Sequence, residues 1–254
     1  MISNNKTDIF FKVTVPLFNF KNNFKGLVGS GVLFKTNGKV FLITSSHLIK
    51  DWGEYLFIPT ERGKKFRPAG ILSYVSFNYI TPGSAKDSID IAIIELQNPE
   101  ELIPFYQVTD FSMFLMETKK DEKYQYAITG FPVNKVKVDV NSKLVIPHPV
   151  IYYTKEFNDS AYDGIHYWKE SHIAVEFTKD TINSVTHERL SAPNFNGVSG
   201  GGLWVIKVTD EPNNESYKIY GINIEADIGK SVFYATRVNV IFNQIKEKYN
   251  FESL

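Results

Sequence analysis

Apolar residues recur along the chain in short runs broken by turn-forming residues, and their period is that of strands. Phe10 to Val15, Gly31 to Phe34, Val40 to Thr44, Ile71 to Phe77 and Ile91 to Leu96 form a first set. Tyr126 to Thr129, Leu144 to Tyr153, Ile173 to Phe177, Leu203 to Val208, Tyr217 to Ile224 and Val232 to Arg237 form a second. Asn37-Gly38 between two of the early runs supplies the paired positive-φ residues of a type I′ hairpin. The helical period appears at the C-terminal end, where Val238, Ile241, Phe242, Ile245 and Tyr249 fall on one face of a helix expected over 238–250. The charge-dense segment Met116 to Lys123 separates the two sets and reads as a linker between two β domains. No repeat or low-complexity tract is found, and the pattern predicts an all-β protein built from two small barrels closed by one helix.

Composition narrows the function classes. In 254 residues, 43% are hydrophobic and 15% aromatic, enough for a sizeable core. Lys+Arg and Asp+Glu both number 28, so the net charge is zero, and no like-charge run stands out. That balance argues against nucleic acid or an anionic membrane as partner. Without cysteine there is neither a disulfide framework nor a thiol nucleophile. The first residues lack the basic start and unbroken apolar stretch of a secretory leader, so a cytoplasmic location is expected. The histidines His148, His166, His172 and His187 show no metal-ligand spacing, and neither a metal site nor a cofactor is expected.

Three places carry candidate chemistry. FNGVSGGGLW, Phe195 to Trp204, gathers Gly197, Gly200, Gly201 and Gly202 around Ser199, either as a flexible turn or as a backbone that must approach a reacting atom. Val40-Phe41-Leu42-Ile43 delivers His47 from an apolar strand onto a turn, as a strand-end histidine or a base. Asp90 opens the run Ile91 to Leu96, as a turn residue or a carboxylate partner, with Asp87 as its rival.

Taken together, these residues resemble the chymotrypsin-like serine peptidases. GSGVLF followed by VFLITSSHLI looks like the first-barrel segment leading to the family's histidine, DIAIIEL like its aspartate strand, and GVSGG like G-x-S-G-G around its nucleophile. AITGFP, YGINIEAD and FYATRV resemble later strands, so the likeness spans nearly the whole chain. It implies two six-stranded Greek-key barrels, residues 1–118 carrying His47 and Asp90 and residues 119–254 carrying Ser199. By the family's worked mechanism, Ser199 attacks a peptide carbonyl, His47 carries its proton, Asp90 holds the imidazole, and the N–H groups of Gly197 and Ser199 form the oxyanion hole.

The resemblance also implies a substrate pocket based around Pro193, Asn194 and Asn196, with walls near Glu225 and Phe233. Trypsin-like members have an aspartate where this chain has Pro193, which points to a neutral, small or medium apolar residue before the scissile bond; Glu225 is the counter-argument, since it could attract a basic side chain. Val198 replaces the aspartate that pairs with a cleaved N-terminus in zymogen-activated members, so no proteolytic maturation is expected. Gly202 replaces a common proline and is expected to add backbone freedom, while Ser45-Ser46 replaces two alanines as a small, tolerable change. A peptide or protein is the implied partner. Stand-alone cytoplasmic relatives are often effectors of multi-protein bacterial systems, including defence systems, which brings in an activating protein partner. The competing functions are an inactive homologue that binds peptides and an esterase using the same parts.

Overall fold

The computed structural model describes residues 9–20, 26–61, 64–75, 89–119, 122–139, 144–163, 167–178, 180–182, 189–191, 194–209 and 215–249. The first sheet contains β1 (Thr14–Asn19), β2 (Gly26–Thr36), β3 (Lys39–Ser45), β4 (Leu56–Pro59), β5 (Lys65–Phe66), β6 (Gly70–Val75), β7 (Ile91–Leu96) and β8 (Thr109–Asp110). Its order is β5-β4-β1-β2-β3-β7-β6, with β8 beside β2. It counts eight strands because the two-residue β5 and β8 are added to the expected six.

The second sheet follows Lys123. The strands after that point are β9 (Tyr124–Gly130), β10 (Val136–Asp139), β11 (Leu144–Pro147), β12 (Val150–Thr154), β13 (His172–Glu176), β14 (Asp180–Ile182), β15 (Arg189–Ser191), β16 (Gly202–Lys207), β17 (Ser216–Asp227) and β18 (Val232–Arg237). Six of them form one sheet in the order β12-β9-β16-β17-β18-β13, while β10-β11 and β14-β15 are separate pairs. Helix α1 spans Ser46–Trp52 and helix α2 spans Val238–Tyr249.

The central strands are buried on both faces, which is why they read as unbroken apolar runs. On β3, Val40 and Leu42 enter the interior of the first sheet with Leu17, Leu33 and Ile94. Phe41 and Ile43 face the other way, into a cluster shared with Trp204, Ile222 and Tyr234 of the second sheet. Helix α2 closes that shared core: Val238, Ile241, Phe242 and Ile245 are buried, and the Phe242 ring meets Phe34 edge-on at 5.4 Å and Phe114 at 4.8 Å.

The Asn37-Gly38 turn has φ of 49° and 74° and joins β2 to β3 as expected. Two expected strands are corrected. Residues 9–12 make a helical turn and β1 begins at Thr14. Phe10 is drawn into the shared core against Trp204, at 4.8 Å between ring centroids, and Thr14 Oγ1 donates to its carbonyl at 2.8 Å. The run Leu144 to Tyr153 splits into β11 and β12 around Pro147-His148-Pro149, where proline nitrogens have no proton for a ladder.

Candidate active site

His47 sits in the first turn of α1, a short helix rather than the turn expected from sequence, so its ring leaves β3 at a defined angle. Asp90 precedes β7 with φ of 49°, a left-handed conformation that a short polar side chain tolerates. This conformation aims the residue back at α1, and the Asp90 carbonyl accepts the Ser46 N–H at 2.8 Å. Its carboxylate accepts three more bonds: Ser46 Oγ–H at 2.7 Å, the His47 N–H at 2.9 Å, and His47 Nδ1 at 2.6 Å. An ionised carboxylate only accepts, so Nδ1 carries the proton and Nε2 is left as the acceptor. Asp87 lies outside the described residues.

Burial of the His47 ring disfavours its charged form. The Asp90 bond and the negative charges of Asp90, Asp51 and Glu225 outweigh that, and the imidazole titrates above the ordinary value of 6.5. A raised histidine pKa stabilises the folded chain fully below the ordinary value, and the contribution is lost as pH rises through the folded-state value. A base must be neutral, so a reaction that used His47 as its base would show the rising limb of kcat/KM against pH above 6.5. Glu225→Gln should move that limb down; a pH–rate profile unchanged by the substitution would contradict the coupling.

Ser199 lies half-buried in the loop between Phe195 and β16. Its hydroxyl donates to the Ile224 carbonyl at 3.0 Å, not to His47. The Asn196 carbonyl accepts the Val133 N–H at 2.8 Å, and because the peptide is planar and trans, the Gly197 N–H points the opposite way. Neither the Gly197 nor the Ser199 N–H has a partner among the described residues. Gly197 has φ of 92°, and a Cβ there would stand 2.6 Å from the Phe131 carbonyl oxygen. Val198 is fully buried and packed against Gly130, where a Cβ would lie 2.9 Å from the Val198 Cα, so this loop is held by packing. Gly202 is also held: it pairs with Ile222, and its carbonyl accepts from Thr129 Oγ1 at 3.0 Å and Asn223 Nδ2 at 3.2 Å. The backbone freedom expected from it is taken up by these bonds.

His47, Asp90, Asn194, Asn196, Ser199, Glu225 and Phe233 line one cleft of about 380 Å³, together with Phe195, Ile224, Ala226 and Ile228. Pro193, His166 and His187 lie outside the described residues; His148 is exposed and His172 fully buried. Solved structures share this arrangement of sheets. The inactivated protease paralogue S-I1 of the scabies mite is 12% identical, with a TM-score of 0.56 and 96% of each chain covered. The inactive form of the Rv3671c protease, from M. tuberculosis H37Rv, is 13% identical with a TM-score of 0.50, over 97% of this chain and 93% of that one. The chain has the chymotrypsin-like double-barrel fold. No protein-family model matches it, and no curated protein matches it in sequence. Among the described residues no helix is long and apolar enough to cross a membrane.

Several supporting residues escaped the sequence reading. Ser30, fully buried on β2, donates from its backbone N–H to the Ser199 carbonyl at 2.8 Å. Its hydroxyl donates to the Gly197 carbonyl at 2.8 Å and accepts the Phe131 N–H at 2.9 Å. Asn223 accepts the Gly200 N–H at 2.7 Å and the Ser45 hydroxyl at 3.1 Å, so Ser45 and Ser46 both bind site residues rather than merely filling space. The one available signal was a hydroxyl inside an otherwise apolar or glycine-rich strand. Ser30→Ala leaves two buried backbone groups unpaired, at roughly 1–3 kcal/mol each. We expect a lowered melting temperature and slowed turnover from this variant, and unchanged values in both measurements would remove Ser30 from the site's support.

Proposed function

We propose that the chain is a serine endopeptidase. The observation that carries this reading is the carboxylate-held His47, with Nδ1 2.6 Å from Asp90, facing the same cleft as Ser199. Ser199 attacks the scissile carbonyl while His47 Nε2 takes its proton and returns it to the leaving amine; Asp90 holds the tautomer and stabilises the imidazolium. In the resting chain the hydroxyl donates to the Ile224 carbonyl, and this mechanism requires a rotation about χ1 to bring it to Nε2. The N–H groups of Gly197 and Ser199, which have no partner among the described residues, receive the oxyanion in this reading, each such donor being worth roughly 2.7–4 kcal/mol in a transition state.

The apolar part of the cleft lining is the substrate pocket of this reading. Phe195 and Phe233 line it with ring centroids 5.1 Å apart, and Ala226 pairs with Phe233 across the strands. That space takes a small or medium apolar residue before the scissile bond. The test is a fluorophosphonate probe on the 254-residue chain: labelling lost in Ser199→Ala supports the reading, and no labelling, or equal labelling of the variant, overturns it. The Ser199–Ile224 bond favours a second reading, a peptide-binding module without turnover, which predicts peptide binding and no labelling.

A further inference from the structure

The two cross-strand pairs beside the nucleophile face opposite ways. Ala226 pairs with Phe233, and Phe233 packs with Phe195 inside the second sheet. Glu225 pairs with Tyr234, whose ring packs on Tyr167 at 4.6 Å in the core shared by the two sheets. The carboxylate of Glu225 accepts a hydrogen bond from the Tyr167 hydroxyl, and Tyr167 is buried. Glu225 is therefore directed away from the apolar pocket. It lies on the His47 side, close enough to raise the imidazole pKa.

Glu225 is exposed in the cleft and has no cationic partner among the described residues. Among the described residues the cleft lining holds two carboxylates, Asp90 and Glu225, and neither lysine nor arginine. Asp90 is occupied by His47 and Ser46. Glu225 is thus the charge left for a ligand, and an anchored carboxylate loses little freedom on pairing. Beyond the Asn223/Glu225 bulge, β17 pairs with β18 on one edge, and its pairing with β16 ends at Ile222. Asn223 still exchanges bonds with Gly200 and Gly201, and the Ile224 carbonyl holds the Ser199 hydroxyl, so from Glu225 onward the other edge has no backbone partner among the described residues and can take an extended peptide as an added strand. In such a peptide successive side chains face opposite ways, so with one residue in the Phe195–Phe233 pocket its neighbour faces Glu225.

We propose that Glu225, oriented by Tyr167, binds a cationic group of the substrate next to the apolar residue that fills the pocket. The group is a Lys or Arg side chain, or the α-amine of a peptide that ends there. This inference rests on the peptide-substrate reading and names the substrate class: apolar at the scissile residue, positive beside it.

The test uses peptides with valine before the scissile bond and Lys, norleucine or Glu before the valine. A further pair begins at the residue before valine, with a free or an acetylated amine. Hydrolysis is measured with the wild-type chain, and binding with Ser199→Ala by fluorescence anisotropy. Lys is expected to exceed norleucine by about tenfold in kcat/KM, less at high salt, and Glu225→Gln to bring that ratio to about one. Glu225→Lys should favour the Glu peptide, and Tyr167→Phe should give an intermediate ratio. A free amine that outperforms its acetylated form only in the short pair assigns the site to a chain terminus; equal performance with a Lys preference assigns it to side chains. Hydrolysis without a Lys preference, or with one that survives Glu225→Gln, overturns the proposal and spares the peptidase. Glu225-dependent binding to Ser199→Ala without wild-type hydrolysis does the reverse, and neither binding nor hydrolysis overturns both.

Discussion

Ser199→Ala and His47→Ala are each expected to lower peptide turnover by about 10⁴- to 10⁶-fold, and the double variant by little more than either alone. In the proposed mechanism nucleophile and base act as a unit: His47 without Ser199 has no proton to take, and the Ser199 hydroxyl without His47 stays hydrogen-bonded to the Ile224 carbonyl. The fold should survive both changes. Ser199 is half-buried at the cleft and the His47 side chain is 42% exposed, so neither truncation opens a cavity in the core. Steady-state rates for the four chains, with melting curves as control, check this. Additive losses, or a Ser199→Ala chain that still turns over peptide, would contradict the mechanism.

Gly200→Ala is expected to act on stability instead. Gly200 has φ of 85°, and a Cβ there would stand 2.0 Å from the Ser30 carbonyl oxygen and 2.4 Å from Thr44 Oγ1. Those two atoms are hydrogen-bonded to each other at 2.7 Å, and the Ser30 N–H holds the Ser199 carbonyl, so neither can retreat without loosening Ser199. A left-handed alanine costs roughly 1–2 kcal/mol and overpacking a further ~1–3 kcal/mol. At about 2–4 °C per kcal/mol for a chain of this size, the melting temperature should fall by about 5–20 °C. A change of less than 2 °C, read by differential scanning calorimetry (~1 kcal/mol or less), would mean that the Ser30–Gly200 contact yields freely.

The strands were readable where both faces are buried. Val40 to Ile43 and Ile91 to Ile94 are apolar without interruption because one face fills the first sheet and the other meets the second. The reading failed at the edges of that rule. Phe10 lies in a run that looks like a strand but coils to reach Trp204, because a ring seeking a distant cavity outweighs local strand preference. The run through Pro147 and Pro149 looks continuous in hydrophobicity and is divided by missing backbone donors.

The candidate site divides in the same way. Ser199, His47 and Asp90 were marked by strong local signals: glycines crowding a serine, and polar residues at the ends of apolar strands. Such signals survive in one dimension because the backbone geometry they require is local. Asn223 and Tyr167 carry no such mark, and Ser30, although flanked by Gly29 and Gly31, stands inside a strand rather than at its end; each acts across a long stretch of chain, with a separation of 167 positions from Ser30 to the Gly197 carbonyl and 58 from Tyr167 to Glu225. The face on which Glu225 stands was equally hidden, since a one-residue bulge at Ile224 sets it and a shift of one residue reverses every side chain that follows. Residue type and local turn geometry were written in the order of the amino acids. The partners of those residues, and the side of the strand each one faces, arise from register and long-range packing, which exist once the two sheets have come together.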